Sequence, residues 1–224
     1  MSFHPGSRSR LTRHDLGRFQ GDTLFERIAR EVCQAECVPR KELYEAWEVA
    51  RRARRKFRGG RVLDLACGHA LVAHIMLLLD DSSPAALAVD AQLPPSAERL
   101  ATCLSAAWPR IAGRVSLLSA KLETVEALPG DVIVSCHACG QLTDDVLDKA
   151  VAARARVVVL PCCQCAADSD AGGLSGWLDP ALAIDVTRAA KLTAAGYDVH
   201  TQTIPANITP KNRLLLATPL QADL

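Results

Sequence analysis

The sequence predicts an α/β fold: a mostly parallel sheet with helices packed on it, preceded by a helical extension. Three observations carry this. Aliphatic runs at Val62–Ala66, Ala85–Val89, Val115–Leu118, Asp131–Val134 and Arg156–Leu160 alternate with stretches of helical periodicity, as expected of repeated βα units whose strands are buried on both faces. Between the first two runs, Cys67-Gly68-His69-Ala70 breaks the strand with small residues and leads into the apolar stretch Leu71–Leu79, which suits a covered helix. Two last strand-like runs, Tyr197–Ile204 and Arg213–Ala217, flank Ile208-Thr-Pro-Lys-Asn212, a turn that would fold them into an antiparallel hairpin.

The elements follow in order. Residues 1–21 are Ser- and Arg-rich without periodicity and are expected to form a flexible basic tail. Leu24, Phe25, Ile28, Ala29 and Val32 recur at helical spacing behind Asp22 or Thr23 as N-cap, and after Pro39 a second helix runs from Lys41 to Phe57. Residues 22–60 therefore form a helical extension, with Tyr44 and Trp47 as packing residues, closed by Gly59-Gly60. Residues 61–224 form the main domain, with further helices at Ser96–Trp108, Thr143–Ala153 and Ala181–Ala195.

Of the 224 residues, 49% are hydrophobic, enough for a full core. No apolar run approaches the roughly 20 residues of a membrane span, and the start lacks an apolar signal region, so the expected location is cytoplasmic. Nine cysteines, an odd count in a chain of this size, argue for reduced thiols over a disulfide framework. The net charge of +1 divides into +7 over residues 1–61 and −6 over the rest. The basic run Arg51–Arg58 has two readings: a phosphate-binding patch for RNA, or cations solvated at a helix C-terminus, where the dipole favours them.

The turn after the first strand carries a resemblance. Asp64-x-Ala66-x-Gly68-x-Ala70, with Asp90 closing the following strand, resembles the acidic-x-Gly-x-Gly-x-Gly signature of class I S-adenosylmethionine methyltransferases, with Ala at the first and third Gly. The resemblance implies a Rossmann-like sheet of seven strands, mostly parallel and ending in an antiparallel hairpin. It also implies S-adenosylmethionine as cofactor, held by Asp64, Ala66, Cys67, Gly68, His69 and Asp90, with Leu122 near the adenine and Ser135 near the methionine end. The opening turn lacks the Gly-x-Gly-x-x-Gly spacing that dinucleotide enzymes set against a pyrophosphate.

In a parallel sheet, ligands collect beyond the carboxyl ends of the strands. Cys67, His69, Cys136, His137, Cys139, Cys162, Cys163 and Cys165 all fall there. One reading is a substrate pocket beside the cofactor, in which His137 removes a proton from the methyl acceptor. Cys136-His-Ala-Cys139-Gly with Pro161-Cys-Cys resembles the cysteine-rich strand ends of a branch that includes tRNA ribose 2′-O-methyltransferases. A second reading is a zinc site of Cys136, Cys139, Cys162, Cys163 and Cys165, against which the adjacent pair Cys162-Cys163 counts, so no metal ligand is assigned. A third is covalent catalysis through Cys136 or Cys162, as in RNA cytosine methyltransferases, although the acid those enzymes place beside the cysteine is absent. The acceptor is expected to be RNA or a small molecule. The alternative of another class is a non-catalytic binding protein on the same fold with a structural zinc. Lys211, Asn212 and Arg213, with Asn207 and Thr209, either border the pocket or are ordinary hairpin residues.

Overall fold

The structure, a computed structural model, describes residues 3–161, 164 and 169–221. Two helices come first, α1 (Leu24–Ala35) and α2 (Arg40–Lys56). Thr23 caps α1 by accepting from the Glu26 amide, and the Glu26 carboxylate reaches back to the Thr23 hydroxyl and the Gly21 amide. The main domain then alternates β1 (Val62–Leu65), α3 (Leu71–Leu79), β2 (Ala86–Asp90), α4 (Ser96–Ala107), β3 (Val115–Ser119), β4 (Val132–Ser135), α5 (Gln141–Ala153) and β5 (Arg156–Val159). It ends with α6 (Pro180–Ala194), β6 (Tyr197–Thr203) and β7 (Arg213–Pro219).

The seven strands lie in the order β3-β2-β1-β4-β5-β7-β6. The first five are parallel, β7 runs antiparallel to β5, and β6 closes the edge antiparallel to β7. This is the predicted sheet, with element ends displaced by one or two residues. The sequence places the start of α5 at Thr143; instead Gly140 precedes its first turn, and the buried Thr143 hydroxyl donates to the Ala138 carbonyl at 2.7 Å.

Alternation along the strands sorts side chains into two cores. Val62, Ala86, Ala88, Val132, Val134, Val158 and Leu216 face α1 to α4, whereas Leu63, Leu65, Val89, Ile133, Val157 and Leu215 face α5 and α6. Tyr44 and Trp47 pack as expected, each stacking obliquely on Phe25 at 5.0 and 5.4 Å between ring centroids.

For the basic front, one expectation is corrected and the two readings of Arg51–Arg58 are decided between. Residues 1–21 are not a loose tail from Phe3 onward. The Leu11 amide donates to Val38 O, the Arg40 and Lys41 amides donate to Ser9 O and Ser7 O, and Leu11 and Phe19 are buried. Composition suggested solvation, but burying a Leu or Phe contributes about 1.5–3 kcal/mol, which anchors a segment without periodicity. Of the two readings of Arg51–Arg58, the structure favours cations at a helix C-terminus: Arg54, Arg55 and Lys56 lie in the last turn of α2. Arg51 and Arg52 pair with Glu48, and Arg54 is buried against Asp80. Arg156, at the start of β5, donates to the carbonyls of Arg58, Gly59 and Gly130, so this run lies at the amino ends of the strands.

Among the described residues, no helix is long and apolar enough to cross a membrane.

Candidate functional site

After β1 the backbone enters the left-handed region at three alternate residues, Ala66 (φ 53°), Gly68 (φ 52°) and Ala70 (φ 59°). Glycine adopts it freely, while each alanine costs about 1–2 kcal/mol. Strain of this kind is retained where the surroundings fix it, often beside a ligand. Here the Cys67 amide donates to Val89 O, the Ala70 amide to Cys67 O, and the Gly68 amide to Asp90 Oδ2 at 2.9 Å. Asp90 Oδ1 accepts from the Gln92 amide at 3.0 Å. The carboxylate at the end of β2 thus holds the glycine turn, and each of its oxygens keeps a second lone pair for an outside donor. A Cβ at Gly68 would meet nothing within 4 Å, so open space lies over this turn.

Asp64 sits beneath it, 1% exposed, accepting from the Ala73 amide in the first turn of α3 at 3.0 Å. Burial pushes its carboxyl up to about 7, the Ala73 amide opposing and the Asp90 charge adding to the rise. The native state therefore holds a proton that the unfolded chain releases near pH 4, so the protein loses stability as pH rises from about 4 to about 7. Asp64→Asn lacks this dependence. Between pH 5 and pH 8 the wild type is expected to lose on the order of 2 kcal/mol relative to the variant, read from paired urea melts. Parallel pH profiles would refute it.

Helix α2 crosses this edge and brings two carboxylates to it. Glu42 Oε2 is 3.9 Å from His69 Nδ1, and Glu45 Oε2 is 3.8 Å from His137 Nε2. Glu45 is 1% exposed, with Oε1 paired to Lys41 Nζ at 2.6 Å; its Oε2 has no hydrogen-bond partner among the described residues. Burial lowers the His137 imidazole below the ordinary histidine range, Glu45 partly restores it and Lys41 works against that. Burial, and then the charges of Arg10 and Arg99, lower His69. Burial raises Glu42, with the neighbouring Glu45 charge adding to it and Lys41 opposing. Both imidazoles are thereby kept neutral near pH 7, each beside an acid.

A small cavity of about 40 Å³ is bounded by Asp64, Ala66, Cys67, Gly68, His69, Glu42, Cys136 and His137. Glu42 and His69 also wall a cleft of about 890 Å³ that reaches Arg8, Arg10, Arg99 and the start of α4. The predicted residues Asp64, Ala66, Cys67, Gly68, His69, Cys136 and His137 therefore meet at one place, with Asp90 bonded to its turn. Ser135 and Leu122 line neither space. The Ser135 hydroxyl is buried and donates to Leu65 O at 2.7 Å, tying β4 to β1, and Leu122 packs on the α5 side of the sheet. Burial pushes the Cys67 thiol up, so it is no thiolate nucleophile.

Cys162, Cys163 and Cys165 lie outside the described residues, and so does most of the zinc set read from the sequence. Lys211 donates to Gln164, Asn212 to Ile204 O, and Arg213 pairs with Asp185, as members of the hairpin and its neighbours. Sequence reasoning missed Glu42, Glu45, Arg10 and Arg99. The i, i+3 spacing of the two glutamates on a predicted helix was the available signal.

A glycine turn after β1 bonded to an acid at the end of β2, under a sheet whose seventh strand inserts antiparallel, defines the fold of class I methyltransferases. Residues 40–169, more than half of the chain, match the family described as a methyltransferase domain. The chain belongs to that family.

No curated protein matches the sequence. Among solved structures, it is similar to an O-methyltransferase family protein from Burkholderia thailandensis, at 18% identity and a TM-score of 0.51, over 97% of this chain and 66% of that one. The chain thus spans just under two thirds of that protein's length. It is also similar to the ribosomal protein L11 methylase from Lactobacillus delbrueckii subsp. bulgaricus, at 13% identity and 0.51, over 79% and 77%. Cofactor-bound Rv0187 from MTB matches at 17% identity and 0.52, over 78% of each chain. At these identities the likeness is one of fold.

Proposed function

We propose that this protein transfers a methyl group from S-adenosylmethionine to a small-molecule acceptor, with His137 as general base and Glu45 positioning it. The observation that carries the reading is His137 on the wall of the cavity that the Gly68 turn also borders, with the buried Glu45 carboxylate 3.8 Å from its Nε2. The cofactor supplies an electrophilic methyl group on its sulfonium. The cradle fits its nucleoside, with open space over Gly68 and spare acceptor positions on Asp90 for ribose hydroxyls. Ala66, on the cavity wall, then contributes shape and backbone near it, whereas Leu122 and Ser135 serve the packing and pairing of the sheet.

The chemistry asked of the protein is alignment and proton removal. His137, kept neutral by burial, accepts the acceptor's proton as the new bond to the methyl carbon forms, and the Glu45 carboxylate stabilises the resulting imidazolium. Cys136 borders the cavity as an apolar wall. The cationic run on α2 lies at the far end of the strands with most of its charges paired, which favours a small acceptor over RNA.

S-adenosylhomocysteine is expected to raise the melting temperature and NADH to leave it unchanged; no shift with the former would remove the reading. In labelled-methyl assays over metabolite and RNA fractions, His137→Ala should keep its affinity for S-adenosylhomocysteine and lose roughly a hundredfold or more in transfer rate. The wild-type rate should level off by pH 7 and fall on the acidic side, because the folded histidine titrates below its usual value. Full transfer by the variant would end the role of His137 as base.

A further inference from the structure

Most arginines of the basic front have an acid. Arg13 pairs with Glu36, Arg18 and Arg40 with Asp15, Arg51 and Arg52 with Glu48, Arg54 and Arg58 with Asp80, and Arg61 with Asp131. Among the described residues, no carboxylate lies within 4 Å of Arg8, Arg10, Arg27, Arg30 or Arg55 of the front, nor of Arg99 on α4. Arg30 is bonded to the Phe19 and Gly21 carbonyls, Arg27 lies over the Trp108 ring and Arg55 is exposed on α2, which leaves Arg8, Arg10 and Arg99. Yet these three line one cleft, that of about 890 Å³ which shares Glu42 and His69 with the cavity beside Gly68.

The Arg10 backbone and the Arg99 side chain are held in place. Arg10 forms an antiparallel bridge with Pro39, Leu11 is buried beside it, and Arg99 donates through Nε to Ala35 O at 2.6 Å and also to the Cys37 thiol, which leaves further guanidinium N–H donors for another acceptor. Thr12 and Ser96 add hydroxyls to the same wall, and Ser96 begins α4, a twelve-residue helix whose N-terminus has no side-chain cap. Held cations without acids, converging on a cleft that opens beside a catalytic pair, match the chemistry of a planar or tetrahedral anion.

We propose that Arg8, Arg10 and Arg99 form the anion-recognition subsite for the methyl acceptor, which is therefore a small acid bearing a carboxylate or phosphate. This rests on the methyltransferase reading above and names its substrate class. Arg10 and Arg99 orient the acid group, so that the acceptor's nucleophile is presented inward, past Glu42 and His69, to His137. Both arginines already act on His69 through their charge, which places them beside that passage.

The test uses the full chain saturated with S-adenosylhomocysteine and two probes, benzoate and inorganic phosphate, titrated calorimetrically. The wild type is expected to bind at least one, roughly tenfold more weakly after Arg10→Gln or Arg99→Gln. Arg55→Gln, which neutralises an exposed arginine on α2 outside the cleft, should leave that affinity unchanged. The preferred probe tells whether carboxylate or phosphate is the matching group. S-adenosylhomocysteine affinity in the same variants should stay within about twofold of wild type, since the site serves the acceptor.

A loss of S-adenosylhomocysteine affinity in Arg10→Gln and Arg99→Gln would overturn the proposal by assigning the cluster to the cofactor's own carboxylate. Binding of neither probe, equal loss in Arg55→Gln, or tight binding of a tRNA that these variants abolish would overturn it as well. Failure of the methyltransferase reading is separate: it appears as no binding of S-adenosylhomocysteine to the wild type.

Discussion

Asp90→Ala is expected to bind S-adenosylhomocysteine roughly a hundredfold more weakly than the wild type, with an unchanged circular dichroism spectrum. The size follows from what the carboxylate does. It accepts from the Gly68 amide at 2.9 Å and from the Gln92 amide at 3.0 Å, fixing a turn that places three successive alternate residues at positive φ. Hydrogen bonds to a charged group contribute about 1.5–3 kcal/mol each. Losing the turn's anchor together with the ribose acceptor proposed above then costs about 3 kcal/mol of binding, which is about two decades in affinity. Asp90→Asn keeps one acceptor oxygen and should fall between wild type and alanine. Calorimetry decides the matter: wild-type affinity in Asp90→Ala would mean the nucleoside is held elsewhere.

The second large effect concerns stability, at the other end of the strands. Arg54 and Asp80 are 2% and 6% exposed and approach to 3.2 Å. Arg54 also donates to Met76 O at 3.1 Å and Ser83 Oγ at 2.7 Å. Burial lowers the guanidinium to about 10, with Asp80 opposing, so it stays charged at neutral pH. Removing one partner of such a pair leaves the other desolvated, at a cost of about 3–5 kcal/mol. Arg54→Ala is placed near the lower figure because Asp80 keeps bonds to the Gly59 amide and to Ser82. For a domain of this size, 3 kcal/mol corresponds to a fall in melting temperature of roughly 6–12 °C. Affinity for S-adenosylhomocysteine, measured well below the transition, should not change. A melting temperature within 2 °C of wild type would show that the pair is solvated.

The sheet and the glycine turn were legible because both leave local marks. A strand buried on both faces has to be a run of aliphatic residues, and the turn after β1 has to be small; Val62–Leu65 and Gly68 satisfy these demands within the chain itself. The α2 carboxylates left no such mark. Glu42 and Glu45 lie on a helix rich in charge, where a glutamate normally faces water. Only the passage of α2 over the carboxyl edge turns Glu45 into a group 1% exposed beside His137. The same holds for Arg51–Arg58, whose partners Glu48 and Asp80 are set by helix phase and by a residue more than twenty positions away. The first segment misled for another reason: Phe3, Leu11 and Phe19 are anchors without a period, and Leu11 and its neighbours take their backbone partners from Val38 to Lys41.

The place of β7 between β5 and β6 bears on how the molecule is made on the ribosome. Residues 197–203 emerge with no strand edge to join, since the strand they pair with is residues 213–219, which follow them. The parallel half of the sheet can assemble earlier, and during that interval β5 presents an open flank and α6 lacks the strands it covers. Closure of the domain is thus a late and concerted event, in which one strand seals two interfaces at once.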